Sequence, residues 1–293
     1  MPLVSAYSPG KLGLSFELYP PRDAAGMDDL FANLTELIQF RPSFVTCTYG
    51  AGGSTRDKTL DIAARVRREF GLPVAAHLTC VGATPSDLRA YLDDAAARGI
   101  EGIVALRGDP PKGEAAFRAT DGGFRHADEL VRFIRSEHPG FSVVVADYPE
   151  KHLEAPDFET DLDHLKRKVD AGADFVISQL FYRNDDFFRF RDRCAATGIR
   201  VPIVPGILPV TSLKQIKRIS AMCGATLPDE FLTRLEFQAG DPKGQFDVGV
   251  YFATRQVEGL VEAGCPGIHF YVLNKSQATA TIMRALTLFP RDE

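Results

Sequence analysis

The sequence has few cysteines, and none of them is arranged as in a disulfide framework or a zinc site. The five are odd in number, widely spaced and without a Cys-x-x-Cys pair: Cys47, Cys80, Cys194, Cys223 and Cys265. Disulfide frameworks and structural zinc sites use even or closely spaced sets of cysteines. We therefore expect a protein with reduced cysteines and no bound metal, of the kind found in the cytoplasm.

Long apolar runs and an excess of one charge are also missing. The first residues, MPLVSAYSPGK, lack the apolar core of a signal peptide, and the longest apolar run, VPIVPGILPV, is too short and proline-rich to span a bilayer. The formal net charge of −5 gives no electrostatic reason to expect nucleic acid or an anionic membrane as partner. The sequence favours a soluble protein whose partners are small molecules.

No Gly-x-Gly-x-x-Gly follows any of the apolar runs, so a Rossmann cofactor site is not predicted. The absence of this motif does not exclude a nucleotide that is bound in another way.

The chain does have a repeated alternation of apolar runs and segments with helical periodicity. The eight apolar runs are LGLSFEL, SFVTCTY, PVAAHLTC, GIVALRG, FSVVVADY, DFVISQLFY, VPIVPGIL and GIHFYVL.

These runs are nearly continuous in hydrophobicity, which is typical of strands buried on both faces. Eight β-α units predict an α/β fold, a (β/α)8 TIM barrel that forms a single domain over residues 1–293. The long interval before the last run predicts extra helices between strands seven and eight. An open, doubly wound sheet is the alternative architecture.

Polar side chains follow or end most of these strands, where barrel enzymes place their chemistry. They are Glu17, Thr46, Thr48, Tyr49, His77, Thr79, Arg107, Asp109, Asp147, Tyr148, Ser178, Gln179, Tyr182, Tyr271, Asn274 and Lys275. A barrel mouth built for stability alone would not need so many hydrogen-bonding groups. The loop DYPEKHLEA adds a ring and several donors, a composition that suits a large polar ligand with an aromatic part.

Single residues in this set also have structural explanations. Glu17, between Phe16 and Leu18, could be an ion-pair partner of Arg22 or Arg107. A lone histidine such as His77 in an apolar strand is more often a core residue than a metal ligand. The run KRK at 166–168 is typical of a solvated helix face.

Taken together, the motifs resemble those of the methylenetetrahydrofolate reductase family. The matching segments run in family order across almost the whole chain: SFELYPPR, VTCTYGAGGSTRDKT, HLTC, ATPSDLR, VALRGDPP, YPEKH, DLDHLKRKVDAGADFVISQLFY, PIVPGILPV and HFYVLN. The resemblance implies an FAD-containing barrel that oxidises NADH or NADPH and reduces 5,10-methylenetetrahydrofolate to 5-methyltetrahydrofolate. It also implies an assembly of such barrels, a homo-oligomer. The length resembles the bacterial form, so control by S-adenosylmethionine through a C-terminal module is not expected.

The resemblance assigns roles to individual residues. Glu17 matches the general acid, and Asp109 matches the carboxylate between flavin and pterin. Folate contacts fall at Asp109, Gln179, Gln215 and Lys275, and a nicotinamide-side contact falls at Thr48. The FAD positions are Tyr49, Ala51, His77, Arg107, Gly108, Asp109, Ala127, Tyr148, His152, Asp161, His164, Arg167 and Lys168.

Four positions depart from the family pattern. Lys275 stands where some members have Arg, which exchanges a bidentate contact for a point charge. Ile219 stands where an aromatic ring can stack on a ligand, His164 replaces an Asn and Leu153 replaces a Pro. The alternatives to the family activity are another flavin-dependent barrel oxidoreductase and a non-catalytic folate- or flavin-binding barrel. A binding protein has no use for a buried acid, which a reductase needs.

Overall fold

A computed structural model describes residues 2–49, 56–110, 113 and 116–286 of the chain. Its parallel strands form one sheet in the order β7-β6-β5-β4-β3-β2-β1-β9-β8. Their bounds are β1 Gly13–Leu18, β2 Phe44–Cys47, β3 Val74–Thr79, β4 Gly102–Leu106, β5 Ser142–Asp147, β6 Phe175–Ser178, β7 Ile203–Val204, β8 Gly206–Ile207 and β9 Gly267–Tyr271.

The predicted seventh strand is present as two short pieces on either side of Pro205. The first piece, β7, pairs with β6, and the second piece, β8, pairs with β9. A proline has no N–H to give to a ladder, so the strand breaks there. The Pro205 carbonyl still accepts the His269 N–H at 3.0 Å. The two pieces close the ring between β6 and β9, which confirms the (β/α)8 barrel and rules out the open sheet.

The helices of the described residues surround the barrel and confirm the predicted insertion. They are α1 Ala24–Leu37, α2 Arg56–Phe70, α3 Pro85–Ala97, α4 Ala127–Glu137, α5 Phe158–Asp170, α6 Asn184–Ala196, α7 Leu213–Cys223, α8 Asp229–Phe237, α9 Pro242–Glu262 and α10 Gln277–Ala285. The helices α7, α8 and α9 lie between β8 and β9, where the sequence predicts extra helices. No helix in these ranges is long and apolar enough to cross a membrane.

Alternation along the strands separates a helix-facing core from the barrel interior. In β1, Phe16 and Leu18 are fully buried in the cluster shared with the helices. Ser15 and Glu17 alternate with them and face inward. The lower interior is apolar, because the N-terminal 3-10 turn inserts Tyr7 beside Phe175 with ring centroids 5.1 Å apart. The polar interior positions therefore lie toward the carboxyl ends of the strands.

The helix α7 is positioned by a close backbone contact with α9. A Cβ at Gly249 of α9 would overlap the carbonyl group of Val210, which lies just before α7. The Leu213 N–H at the start of α7 also donates to Gln245 Oε1 of α9, at 2.8 Å. The position of α7 on α9 thus depends on a glycine where the two backbones meet.

We expect Gly249→Ala to lower the free energy of unfolding by about 1–3 kcal/mol or more, because a backbone carbonyl cannot move aside as a flexible side chain can. The measurement is chemical denaturation followed by circular dichroism. Gly259→Ala in the same helix is the matched control, since its Cβ would meet only the Asn184 Nδ2 atom. Equal effects of the two substitutions would contradict the backbone contact.

Candidate active site

Glu17 lies at the open end of the barrel interior. It is the penultimate residue of β1, and its register partners are Thr46 of β2 and Tyr271 of β9. Its side chain is 22% exposed, and its Oε2 atom lies 3.4 Å from His77 Nε2. Within the described ranges, neither Arg22 nor Arg107 forms an ion pair with Glu17. The proposed structural ion pair is therefore absent from this part of the chain.

Burial leaves the Glu17–His77 pair uncharged near neutral pH. Loss of solvation raises the pKa of the Glu17 carboxyl group to about 8. The same cause lowers the pKa of the His77 imidazole to about 3. At pH 7 the carboxyl group consequently holds a proton, and the neutral imidazole beside it offers no cation that would ionise the acid. This arrangement can deliver a proton to a ligand above it.

A polar layer that sequence reasoning missed lies below this pair. Ser15 Oγ and His269 Nδ1 are 2.8 Å apart, and both residues are fully buried. Burial, and then the proximity of His77, lower the pKa of His269 to about 3. Counting inward positions by two, from Glu17 back along β1 and from Tyr271 back along β9, would have found both residues.

Tyr271 and Gln179 form the wall of the mouth on the β6–β9 side. The Tyr271 hydroxyl donates to the Ser178 carbonyl at 2.7 Å, and a Cβ at Gly206 would lie 2.7 Å from the Tyr271 ring. Gln179 Oε1 accepts the Leu180 N–H at 2.8 Å, which fixes the orientation of the amide. Burial raises the pKa of Tyr148 to about 12, partly offset by a hydrogen bond with Gln179. The structure thus brings Tyr148 and Gln179 together as predicted.

Arg107 is held by the loop after β5. Its terminal nitrogens donate to both carboxylate oxygens of Glu154, one of them at 3.0 Å. In the same loop the rings of Tyr148 and His152 meet edge to face at 4.7 Å, and the His152 N–H donates to Asp161 Oδ2 at 2.7 Å. Burial, and then the nearby Arg107 cation, lower the pKa of His152. These contacts connect five residues at the mouth into one group: Arg107, Glu154, Tyr148, His152 and Asp161.

The remaining predicted FAD residues surround this group. Tyr49 follows β2, directly after Thr48, the predicted nicotinamide-side contact; Gly108 and the exposed Asp109 follow β4, and Ala127 opens α4. The ring of His164 on α5 lies nearly parallel to that of His126, with centroids 6.3 Å apart. Ala51 lies outside the described residues.

Arg167 and Lys168 are bound to protein groups. Both lie in the last turn of α5. Arg167 pairs with Asp163 one turn away, at 2.6 Å. The Lys168 ammonium group donates to the Ala146 carbonyl at 2.6 Å and lies 3.5 Å from Asp147, whose pKa burial raises to about 7. Their phosphate-binding role stays a prediction that requires these contacts to be shared or exchanged.

The positions predicted to contact folate include Gln215 and Lys275. Gln215 is in the first turn of α7, and its N–H donates to the capping Ser212 hydroxyl at 3.4 Å. Lys275 follows β9 and is exposed. No group of three His, Cys, Asp or Glu side chains within the described ranges could hold a metal ion.

Comparisons with known proteins agree with this fold. A family model described as methylenetetrahydrofolate reductase matches residues 4–287. The chain is 38% identical over 281 residues to the 5,10-methylenetetrahydrofolate reductase of Escherichia coli, covering 96% of this chain and 93% of that protein.

Two further proteins are similar over nearly the whole chain. It is 37% identical over 289 residues to methylenetetrahydrofolate reductase (NADH) 1 of Arabidopsis thaliana, with 95% of this chain but only 49% of that protein covered, so it spans about half the plant protein's length. An uncharacterized Clostridium thermocellum protein, solved with two copies of 5-methyl-5,6,7,8-tetrahydrofolic acid, shares the fold at TM-score 0.61. That structural match has 13% identity and covers 97% of this chain and 98% of the other. The extent of the family match shows that the chain belongs to the methylenetetrahydrofolate reductase family.

Proposed function

We propose that the chain reduces 5,10-methylenetetrahydrofolate to 5-methyltetrahydrofolate, with NADH or NADPH as the reductant and FAD as the bound hydride carrier. The reduced nicotinamide and the folate occupy the barrel mouth in turn, which gives ping-pong kinetics. The product carries a methyl group of the kind used in methionine biosynthesis. Family membership supports the reaction, and the observation in the structure that carries the proposal is the poorly solvated carboxyl group of Glu17 at the end of β1, whose pKa burial raises to about 8.

The substrate requires an acid of this kind. Its methylene group bridges two nitrogens in a five-membered ring, and hydride cannot add until the ring opens to an iminium ion. Opening places a proton on the departing nitrogen, so the donor must still be protonated at neutral pH. A carboxyl group meets that condition only when burial raises its pKa, as it does for Glu17.

His77 helps to keep the proton on Glu17 until the substrate takes it. The imidazole lies 3.4 Å from the carboxyl group, and its pKa of about 3 makes it a poor base. After transfer, Glu17 is a carboxylate in a poorly solvated position with no cation paired to it in the described part of the chain. Its high pKa then favours reprotonation before the next turnover.

The residues at the mouth fit FAD. When bound, FAD supplies the two-electron hydride acceptor and donor of the reaction. The half-buried guanidinium group of Arg107 is of a kind that binds phosphate oxygens once its contact with Glu154 is exchanged, and Ala127 adds backbone N–H groups at the start of α4, beside Asp128 and Glu129. The exposed imidazole of His164 offers a face on which an adenine ring can stack. Tyr148, His152 and Asp161 join this set through the loop contacts given above.

Gln179, Asp109 and Lys275 would orient the folate. Because Gln179 Oε1 accepts the Leu180 N–H, the NH2 group of the amide is left as the donor, both for Tyr148 and for the pterin. Asp109 would accept hydrogen bonds from the pterin, and Gln215 and Lys275 would contact the rest of the folate, with Lys275 at its anionic glutamate end. A homo-oligomeric state stays a prediction from the family resemblance, and a cytoplasmic location stays a prediction from the cysteine usage and the first residues of the sequence.

The first test is the cofactor itself. We expect the purified protein to be yellow and to release FAD on heat denaturation, with the colour bleached by NADH or NADPH under anaerobic conditions. Chromatography of the released compound and absorbance spectra make the measurement. A colourless protein that gains no flavin when FAD is added would contradict the proposal, and a flavin that folate does not reoxidise would favour another flavin-dependent barrel.

Glu17→Gln should separate the two halves of the reaction. NADH should still reduce the flavin, while reoxidation by methylenetetrahydrofolate should slow by about 10²- to 10⁴-fold, because the amide cannot donate the proton. Stopped-flow absorbance measures both rates. Glu137→Gln, which makes the same change where α4 pairs with Arg89, is the matched control and should leave both rates unchanged. Normal reoxidation of the Glu17 variant would exclude it as the acid.

The folate half of the reaction should also depend on pH through Glu17. The active form is the protonated one, so the rate should be constant below the pKa of about 8 and fall about tenfold per pH unit above it. Stopped-flow reoxidation across this range is the measurement. A decline with a midpoint near 4.5, the ordinary value for a glutamate, would show that burial does not raise this pKa.

A further inference from the structure

The chain leaves β9 through a strained turn. Leu273 and Asn274 have φ values of 49° and 54°, and the Lys275 N–H donates to the Val272 carbonyl at 2.9 Å. Two successive residues in the left-handed region with this hydrogen bond form a type I′ turn. Asparagine tolerates that region, but a bulky leucine rarely occupies it. Something in the surrounding structure must hold the turn.

The side chain of Asn274 provides that support by bonding to the end of β1. Its Oδ1 atom accepts the Tyr19 N–H at 3.0 Å, and its Nδ2 atom donates to the Tyr19 carbonyl at 2.8 Å. The amide therefore satisfies both backbone groups of one residue, as a neighbouring strand would. We call this pair of hydrogen bonds the Asn274–Tyr19 clasp. Pro20 and Pro21 follow Tyr19 and have no N–H with which to extend the ladder.

The clasp fixes one side of Lys275, and a second anchor fixes the other. The Ser276 N–H donates to Asn33 Oδ1 of α1 at 2.9 Å, and the Ser276 hydroxyl donates to the same atom at 2.8 Å. Lys275 itself is exposed, and no carboxylate within the described ranges pairs with it. The residues on both sides of Lys275 are thus held by hydrogen bonds, while its ammonium group has no carboxylate partner in this part of the chain. Such a cation is available to bind an anionic group of a ligand.

We propose that Asn274 is a positioning residue for the folate substrate: through the clasp it holds the strained turn and so aims Lys275 at the carboxylate tail. This inference rests on the proposed function. Strained backbone persists where the surrounding contacts over-determine it, often beside a ligand. Here the strain directs the chain so that Lys275 stands at the rim of the mouth, close in sequence to Tyr271 in its wall.

Two substitutions at Asn274 test the clasp. Asn274→Gly accepts the left-handed backbone but removes both hydrogen bonds. Asn274→Asp keeps the acceptor for the Tyr19 N–H and places a carboxylate oxygen against the Tyr19 carbonyl. We expect both variants to raise the Kd for 5-methyltetrahydrofolate by about tenfold, the effect of a misplaced charge contact. Calorimetry on the FAD-loaded protein is the measurement, and flavin reduction by NADH should stay within about twofold of wild type.

A ligand that lacks the glutamate tail shows whether the loss of affinity arises at that tail. The variants and the wild type should bind 5-methyltetrahydropteroate, which lacks the glutamate, equally well. Lys275→Gln should show the same loss for 5-methyltetrahydrofolate as Asn274→Gly, and the double variant should be no weaker than Lys275→Gln alone, because the two residues act through one contact. Asn184→Gly removes a side-chain hydrogen bond to the Gln256 carbonyl at the start of α6, away from the turn. This variant is the control and should leave both affinities unchanged.

The outcomes separate this inference from the function on which it rests. If Lys275→Gln weakens binding but Asn274→Gly and Asn274→Asp do not, or if the losses are fully additive, Asn274 does not position Lys275. The same holds if the Asn274 variants lose affinity for the tail-less ligand to an equal extent. If the wild-type protein binds no 5-methyltetrahydrofolate, the proposed function falls and the inference with it.

Discussion

The chemistry of this site depends on keeping one carboxyl group, that of Glu17, buried and without a cation beside it. Burial alone raises a carboxyl pKa, but a neighbouring guanidinium or ammonium group would lower it again. The nearest histidine, His77, is itself too poorly solvated to charge. Arg107, the cation at the same rim, is bound through both terminal nitrogens to Glu154. No cation among the described residues is paired with Glu17, and burial raises the pKa of its carboxyl group to about 8.

The barrel provides this environment through simple alternation. Apolar residues of each strand face the helices, and the inward residues change from apolar at the base, around Tyr7 and Phe175, to polar at the mouth. The strand breaks at Pro205, and α7 to α9 follow its second piece before β9. Glu17 lies at the polar end of this interior, as the penultimate residue of β1.

Much of this arrangement could be predicted from the sequence. The eight strands, the insertion before β9 and the position of Glu17 all follow from local patterns, since periodicity reports which faces are buried. The pairing of Arg107 with Glu154 and of Asn274 with Tyr19 could not, because each joins segments far apart in the chain. Lys168 shows the same limit: its sequence suggests a solvated face, yet its ammonium group reaches the Ala146 carbonyl.

The central claim is that Glu17 is protonated at neutral pH, and infrared difference spectroscopy tests it most directly. Subtracting the spectrum of Glu17→Gln from that of the wild type should isolate the carbonyl stretch of one protonated carboxyl group. The account predicts that this band is present at pH 7 and disappears with a midpoint of about 8. A spectrum at pH 7 that shows only the carboxylate bands of Glu17, with the protonated form emerging near pH 4.5, would contradict it.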